Sequence, residues 1–220
     1  VIEPDAAELR VLGALIEKQR TTPDVYPLSL NSLRLACNQS TGRDPVVDYD
    51  EDTIRDAVAR LVRRGWARLA SGPGSRATKY RHLLDEALSL DGAEISVLAV
   101  LMLRGAQTPG ELRQRTERLH GFATLEQLDA LLEALSSRQM VVRFDRQPGQ
   151  KEARWSLGGE FGGSATALRL SEEPPLTTPA PSPPERPEAP AGELESRIAA
   201  LERDLAALRT LVAQLRARAN

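Results

Sequence analysis

What most constrains this chain is a doubled order of hydrophobic periodicities: three helical stripes, two short strands around a glycine-bearing tip, then the same order in weaker form. Leu9, Leu12, Leu15 and Ile16 share one helical stripe, and Ile95, Leu98, Leu101 and Met102 repeat it at the same spacing. Second helices follow through Leu30, Leu33 and Cys37 and through Leu112 and Leu119, the latter opened by Thr108-Pro109-Gly110-Glu111, a capping box with proline at the first helical position. The third helices carry Ile54, Val58, Leu61 and Val62 against Leu125, Leu128, Leu132 and Leu135. Each runs into a strand, beginning at Trp66 or Met140, and Gly65 is placed to supply a left-handed residue after the first. Hairpins complete both copies: Trp66 to Ala70 and Ala77 to His82 flank Ser71-Gly72-Pro73-Gly74-Ser75, while Met140 to Phe144 and Ala153 to Leu157 flank Gln147-Pro148-Gly149-Gln150. This is the order of a winged helix, and its repetition reads as a binding module rather than an enzyme.

A chain of 220 residues has room for two small domains, and with 4% aromatic residues their cores must be aliphatic. No apolar stretch approaches the roughly 20 residues of a membrane span, and Val-Ile-Glu-Pro-Asp is not the basic start of a secretory signal. The single cysteine, Cys37, cannot form an internal disulfide and suits a reducing compartment, so the expected location is the cytoplasm. Charge argues against a dedicated DNA-binding surface over the whole chain: residues 1–90 hold 13 acids and 13 bases, residues 91–168 hold 10 and 9, and the remainder 8 and 7. Because phosphate neutralisation supplies most of the affinity for DNA, any such surface must be a local basic patch.

Between Gly162 and Gly192 the composition shifts, with eight of the fifteen prolines between Pro174 and Pro190; a disordered, proline-rich linker is expected there. Beyond it Leu194, Ile198, Leu201, Leu205, Leu208, Val212 and Leu215 step by four and three without a break, a heptad seam. Leucine at d with Ile198, Leu205 and Val212 at a favours a parallel two-stranded coil, in which Arg197 meets Glu202 and Asp204 meets Arg209 of the partner. The alternative is a helix that packs back on its own chain.

The segment from Glu17-Lys18-Gln19-Arg20-Thr21-Thr22-Pro23-Asp24-Val25-Tyr26-Pro27 through Leu28-Ser29-Leu30-Asn31-Ser32-Leu33, then Ala36-Cys37-Asn38-Gln39 and Arg43-Asp44-Pro45-Val46, resembles the bacterial YceH family of uncharacterised proteins. Gly74-Ser75-Arg76 and Lys79-Tyr80-Arg81-His82 are similar to the same family, closely over residues 8–84 and more loosely over 91–158. The resemblance implies a tandem winged-helix fold and a bacterial cytoplasmic setting, and no activity. Ser40-Thr41-Gly42 departs from the family's lysine, serine and asparagine, and the linker and heptad tail read as an elaboration.

The expected fold is therefore mainly α with small β-wings: winged-helix domains over residues 1–88 and 89–161, a linker over 162–192 and a coiled-coil helix over 193–220. The candidate nucleic-acid-binding residues are Arg68, Arg76, Lys79, Tyr80 and Arg81, a wing without an acid from Trp66 to Leu84, which Arg60, Arg63 and Arg64 extend. A solvated charged edge that resists strand-to-strand aggregation explains the same residues. The second wing is weaker, since Asp145 and Glu152 interrupt Arg143, Arg146, Lys151 and Arg154. The third helices are poor readers of a major groove: Asp50-Glu51-Asp52 opens the first and Glu126, Asp129 and Glu133 lie on the second, acids that also serve capping and the helix dipole. Pro23, Pro27 and Asn31 suit a self-satisfied loop or a partner-docking surface, and Cys37 reads as a small buried hydrophobe. His82 and His120 lack metal-ligand spacing, and neither a catalytic site, a metal site nor a cofactor motif is expected. Two functions fit: DNA contact through the first wing, or a dimeric protein-interaction scaffold that touches no nucleic acid.

Overall fold

The computed structural model describes residues 3–70, 78–146 and 152–161, all within the first of two compact units, Val1–Pro174. Its elements in order are α1 (Ala6–Thr21), a 3-10 turn (Pro23–Val25), β1 (Leu28–Ser29), α2 (Leu30–Cys37), α3 (Glu51–Arg63), β2 (Ala67–Leu69), β3 (Lys79–His82) and α4 (Leu84–Leu88). Then come α5 (Gly92–Arg104), α6 (Pro109–Thr116), α7 (Leu125–Ser137), β4 (Val141–Phe144), β5 (Arg154–Leu157) and a 3-10 turn (Gly159–Phe161). The molecule is mainly helical with small antiparallel strand pairs, consistent with a winged-helix-like class. The proline-rich stretch and the heptad residues Leu194, Ile198, Leu201, Leu205, Leu208, Val212 and Leu215 lie outside the described residues, as does Arg76.

Helix starts are well signalled. Asp5 caps α1 and Asp91 caps α5, each in a capping box with Glu8 or Glu94, and Thr108 closes the expected box with Glu111. Asp50 accepts from the Thr53 amide at the start of α3, so part of its acidic opening is capping. Gly65, at φ 77°, follows α3 in the left-handed conformation and turns the chain into β2. Trp66 itself precedes the strand, and α6 stops at Thr116, leaving Leu119 beyond the helix yet packed on the core.

The first sheet holds one strand more than the expected hairpin. β1 pairs with β3, Leu28 opposite Tyr80 and Ser29 opposite Lys79, giving the order β1-β3-β2. Two residues suffice because Leu28 is buried and Ser29 at once caps α2, accepting from the Ser32 amide. Asn31 accepts from Arg34 on the exposed face of α2. The second half repeats this economically: Gln107, just before the Thr108 cap of α6, makes one antiparallel bridge to Trp155 of β5, which pairs with β4.

Buried aliphatic side chains of both halves form one cluster, joined where α1 lies against α5. Gly13 makes that approach possible: a Cβ there would come within 2.9 Å of Leu103 Cγ and 3.0 Å of Met102 Cβ. At the other end Phe161 buries its ring 5.5 Å from Trp66, so the last described turn packs at the root of the first wing.

Candidate nucleic-acid interface

Strand alternation sorts the wing residues. His82 faces inward and is fully buried, and Tyr80, two residues away, shares that face and packs half-buried on the core. Lys79 and Arg81 therefore take the outer face, where Arg68 of β2 stands directly opposite Arg81 of β3. Arg81 is held by Glu86 at 2.6 Å, while Arg68 is exposed and has no ion pair among the described residues. The wing thus offers cations from its outer face, with the Tyr80 ring turned to the core.

The arginines at the end of α3 are divided. Arg60 pairs with Asp5 (2.6 Å) and Glu8 (3.2 Å), Arg64 Nε donates to Glu8 Oε1 (3.1 Å), and the Arg64 guanidinium lies 5.5 Å from the Trp66 ring. Glu8 is 2% exposed, so this cluster clamps the start of α1 to the end of α3. Arg63 remains exposed. Along the rest of α3 the exposed face shows Glu51, Asp52 and Asp56, with Arg55 neutralised by ion pairs to Glu51 and Asp52. On α7 the exposed Glu126, Asp129 and Glu133 have no ion pair among the described residues, and Arg138 just beyond binds Glu94 (2.8 Å) and the Leu88 carbonyl. Neither third helix presents a basic face.

The loop after α1 is internally satisfied over much of its length. The Tyr26 hydroxyl accepts from the His82 amide at 2.8 Å, and burial pushes its phenol up to about 12 despite that bond. His82 Nε2 bonds Gln19 Oε1, and Nδ1 stands 3.6 Å from Asp85. Burial lowers this imidazole to about 4; Asp85 opposes the shift, and Arg81 and Arg20 add to it. Cys37 is buried, with burial raising its thiol to about 12, so it is a packed, unreactive group. Among the described residues no group of three or more His, Cys, Asp or Glu is placed to hold a metal, and no helix is long and apolar enough to cross a membrane.

Two arginines that periodicity did not single out organise the connection between α2 and α3. Arg43 has no exposed side-chain surface; it holds Glu17 by two bonds (3.1 and 2.6 Å) and also donates to the Ala36 and Gly42 carbonyls and to Gln39. Arg10 donates to the Cys37 and Pro45 carbonyls (3.1 and 2.6 Å). The available signal was Arg10 itself, a charged residue set within the apolar run from Leu9 to Ile16. The family-like segment from Glu17 to Val46 is thus largely a scaffold for buried arginine.

A family model described as "Protein of unknown function, DUF480" matches residues 5–150. The proteins named UPF0502 protein YceH from Salmonella paratyphi B, Salmonella newport and Salmonella typhi are each 40% identical over 214 residues, covering 94% of this chain and 93% of the relative. Coverage that high reaches past residue 162, so the C-terminal region, which reads from sequence as an elaboration, has a counterpart in these relatives. The chain belongs to the bacterial DUF480 family, whose function is unknown.

Proposed function

We propose that the chain is a non-catalytic, cytoplasmic protein of two tandem winged-helix domains, residues 1–88 and 89–161, that meets duplex DNA through its first wing rather than its third helices. The tandem reading is supported by the second half's repetition of the first half's strand order, with the Gln107–Trp155 bridge in the place of the Leu28–Tyr80 pair. The observation that carries the DNA reading is the outer face of β2 and β3, where Arg68, Lys79 and Arg81 gather and neither strand carries a carboxylate. With acids on α3 and α7, helix insertion into a groove is opposed by the charge of the phosphates. The contact is therefore with the backbone, indifferent to base sequence. A linker over 162–192 and a dimer formed by the coil over 193–220 would bring two such wings to one duplex.

Binding of the full chain to random duplex DNA, measured from low to physiological salt, tests this. Weak, salt-steep affinity is expected, with Arg68→Ala and Arg76→Ala each reducing the logarithmic salt slope by about one. Absence of binding at low salt would overturn it. The second reading, a scaffold for a protein partner, is favoured by the Glu126, Asp129 and Glu133 face of α7, which suits a basic protein surface.

A further inference from the structure

The last turn of α1, the loop through Gly42, the end of α5 and the end of α6 enclose a cleft of about 360 Å³. Four cations line it: Lys18 from α1, Arg104 from α5, Arg115 from α6 and Arg118 just beyond. Among the described residues one carboxylate, Glu17, shares the wall, and both of its oxygens are taken by Arg43. Lys18 reaches Glu17 only at 3.8 Å. Arg115 lies 3.5 Å from Glu111, which Arg154 holds more closely at 3.1 Å. Arg104 and Arg118 have no ion pair among the described residues, and Arg104 rests against Gly42, where a Cβ would stand 3.5 Å from its guanidinium.

Like charges gathered in a partly dehydrated cleft repel one another more than they would in water, and a bound anion relieves that repulsion. Burial, together with the nearby Arg115 and Arg43, already lowers the Arg104 guanidinium below its ordinary value. The guanidinium groups suit forked hydrogen bonding to phosphate oxygens. Among the described residues no aromatic ring lines the cleft to stack a base, and its size admits a small molecule, not a duplex.

We propose that this cleft binds a compact phosphorylated anion carrying two or more charges, gripped by Arg104, Arg115 and Arg118 with Lys18 at its rim. Such a ligand would tie α1 to α5 and α6, and so the two halves to each other. None of the described wing residues lines it, so the site stands whether or not the wing binds DNA.

The test is thermal unfolding and titration calorimetry of the full chain with inorganic pyrophosphate as the probe, ionic strength being matched with potassium chloride. A saturable rise in the unfolding midpoint is expected, larger than that from orthophosphate. Arg104→Gln and Arg118→Gln should each weaken binding about tenfold, and Arg68→Ala should leave it unchanged. Arg118 is exposed, so its variant keeps the test decisive if Arg104→Gln fails to fold. No saturable effect beyond that of chloride, or full affinity in Arg118→Gln, would overturn the proposal. So would a short duplex that displaces pyrophosphate and loses its own binding in Arg118→Gln, because the cleft would then serve nucleic-acid phosphate.

Discussion

Gly13 of α1 sits so close to Leu103 of α5 that a single added methyl group would overlap the leucine Cγ, at 2.9 Å. Neither that atom nor Met102 Cβ is the free end of a side chain, so the two helices would have to move apart. Gly13→Ala is expected to destabilise the protein by about 1–3 kcal/mol, outweighing alanine's better helix propensity. Gly110→Ala on α6 has open space around its Cβ and should instead stabilise by about 0.5 kcal/mol. Urea unfolding of both variants checks the pair; equal midpoints would mean that α1 and α5 are not in close contact.

Glu17 gives Arg43 its counter-charge in a place where the guanidinium has no access to water. Removing it by Glu17→Ala leaves a buried, uncompensated cation, at a cost of about 3–5 kcal/mol. The backbone carbonyls that Arg43 also binds put the expected value near the lower end. Lys18→Ala, which loses only a loose ion pair, should cost less than about 1 kcal/mol. A double variant, Glu17→Leu with Arg43→Met, should recover part of the loss in chemical denaturation, since neither charge is then stranded.

Glu86, which is exposed, holds Arg81 at 2.6 Å. If the first wing contacts DNA, Glu86→Gln should tighten binding and steepen its salt dependence, because one more cation is then available. Electrophoretic mobility shifts at several salt concentrations measure this; unchanged affinity would take Arg81 out of the contact.

The longer helices were legible from their apolar stripes, and the start of α6 from Thr108 three residues before Glu111, whereas the five-residue α4 is too short to show a helical period. Gly65 marked the end of α3 for the same kind of reason. β1 was not legible, because two residues are too short to show alternation and Leu28 pairs with Tyr80 across fifty-two positions. The basic wing was visible as composition, but which of its cations face solvent depends on register: Arg68 and Arg81 became neighbours, and Tyr80 turned toward the core, only once the strands paired. The partners of Arg10 and Arg43 were not legible, because a charge within the Leu9 to Ile16 run marks burial of Arg10 but not the distant carbonyls it binds, and Arg43 lies in a loop without periodicity.

His82 should make stability fall in mild acid. Its folded-state value is about 4 against 6.5 for a free imidazole, so the unfolded chain binds the proton more readily. The stabilisation from keeping this ring neutral is complete above pH 6.5 and is lost as pH falls toward 4, a change of up to about 3 kcal/mol. Urea midpoints between pH 4.5 and 7.5 should therefore rise with pH, and His82→Gln should flatten that rise. Persistence of the full slope in the variant would assign it to other groups.

The proposed dimer rests on the heptad seam from Leu194 to Leu215, with Ile198, Leu205 and Val212 at a positions and leucine at every d. In a parallel pair Arg197 faces Glu202 and Asp204 faces Arg209 of the second strand, whereas a shift of one heptad breaks those matches at the ends of so short a coil. Sedimentation equilibrium of the full chain should give twice its own chain mass, and a chain ending at Glu173 should give the mass of its own monomer. Leu201→Asn with Leu208→Asn should act like the truncation, since two polar side chains at d positions remove the apolar contact that drives association. A truncated chain that remains dimeric would transfer the interface to the helical domains, and the two wings would then owe their spacing to those domains rather than to the tail.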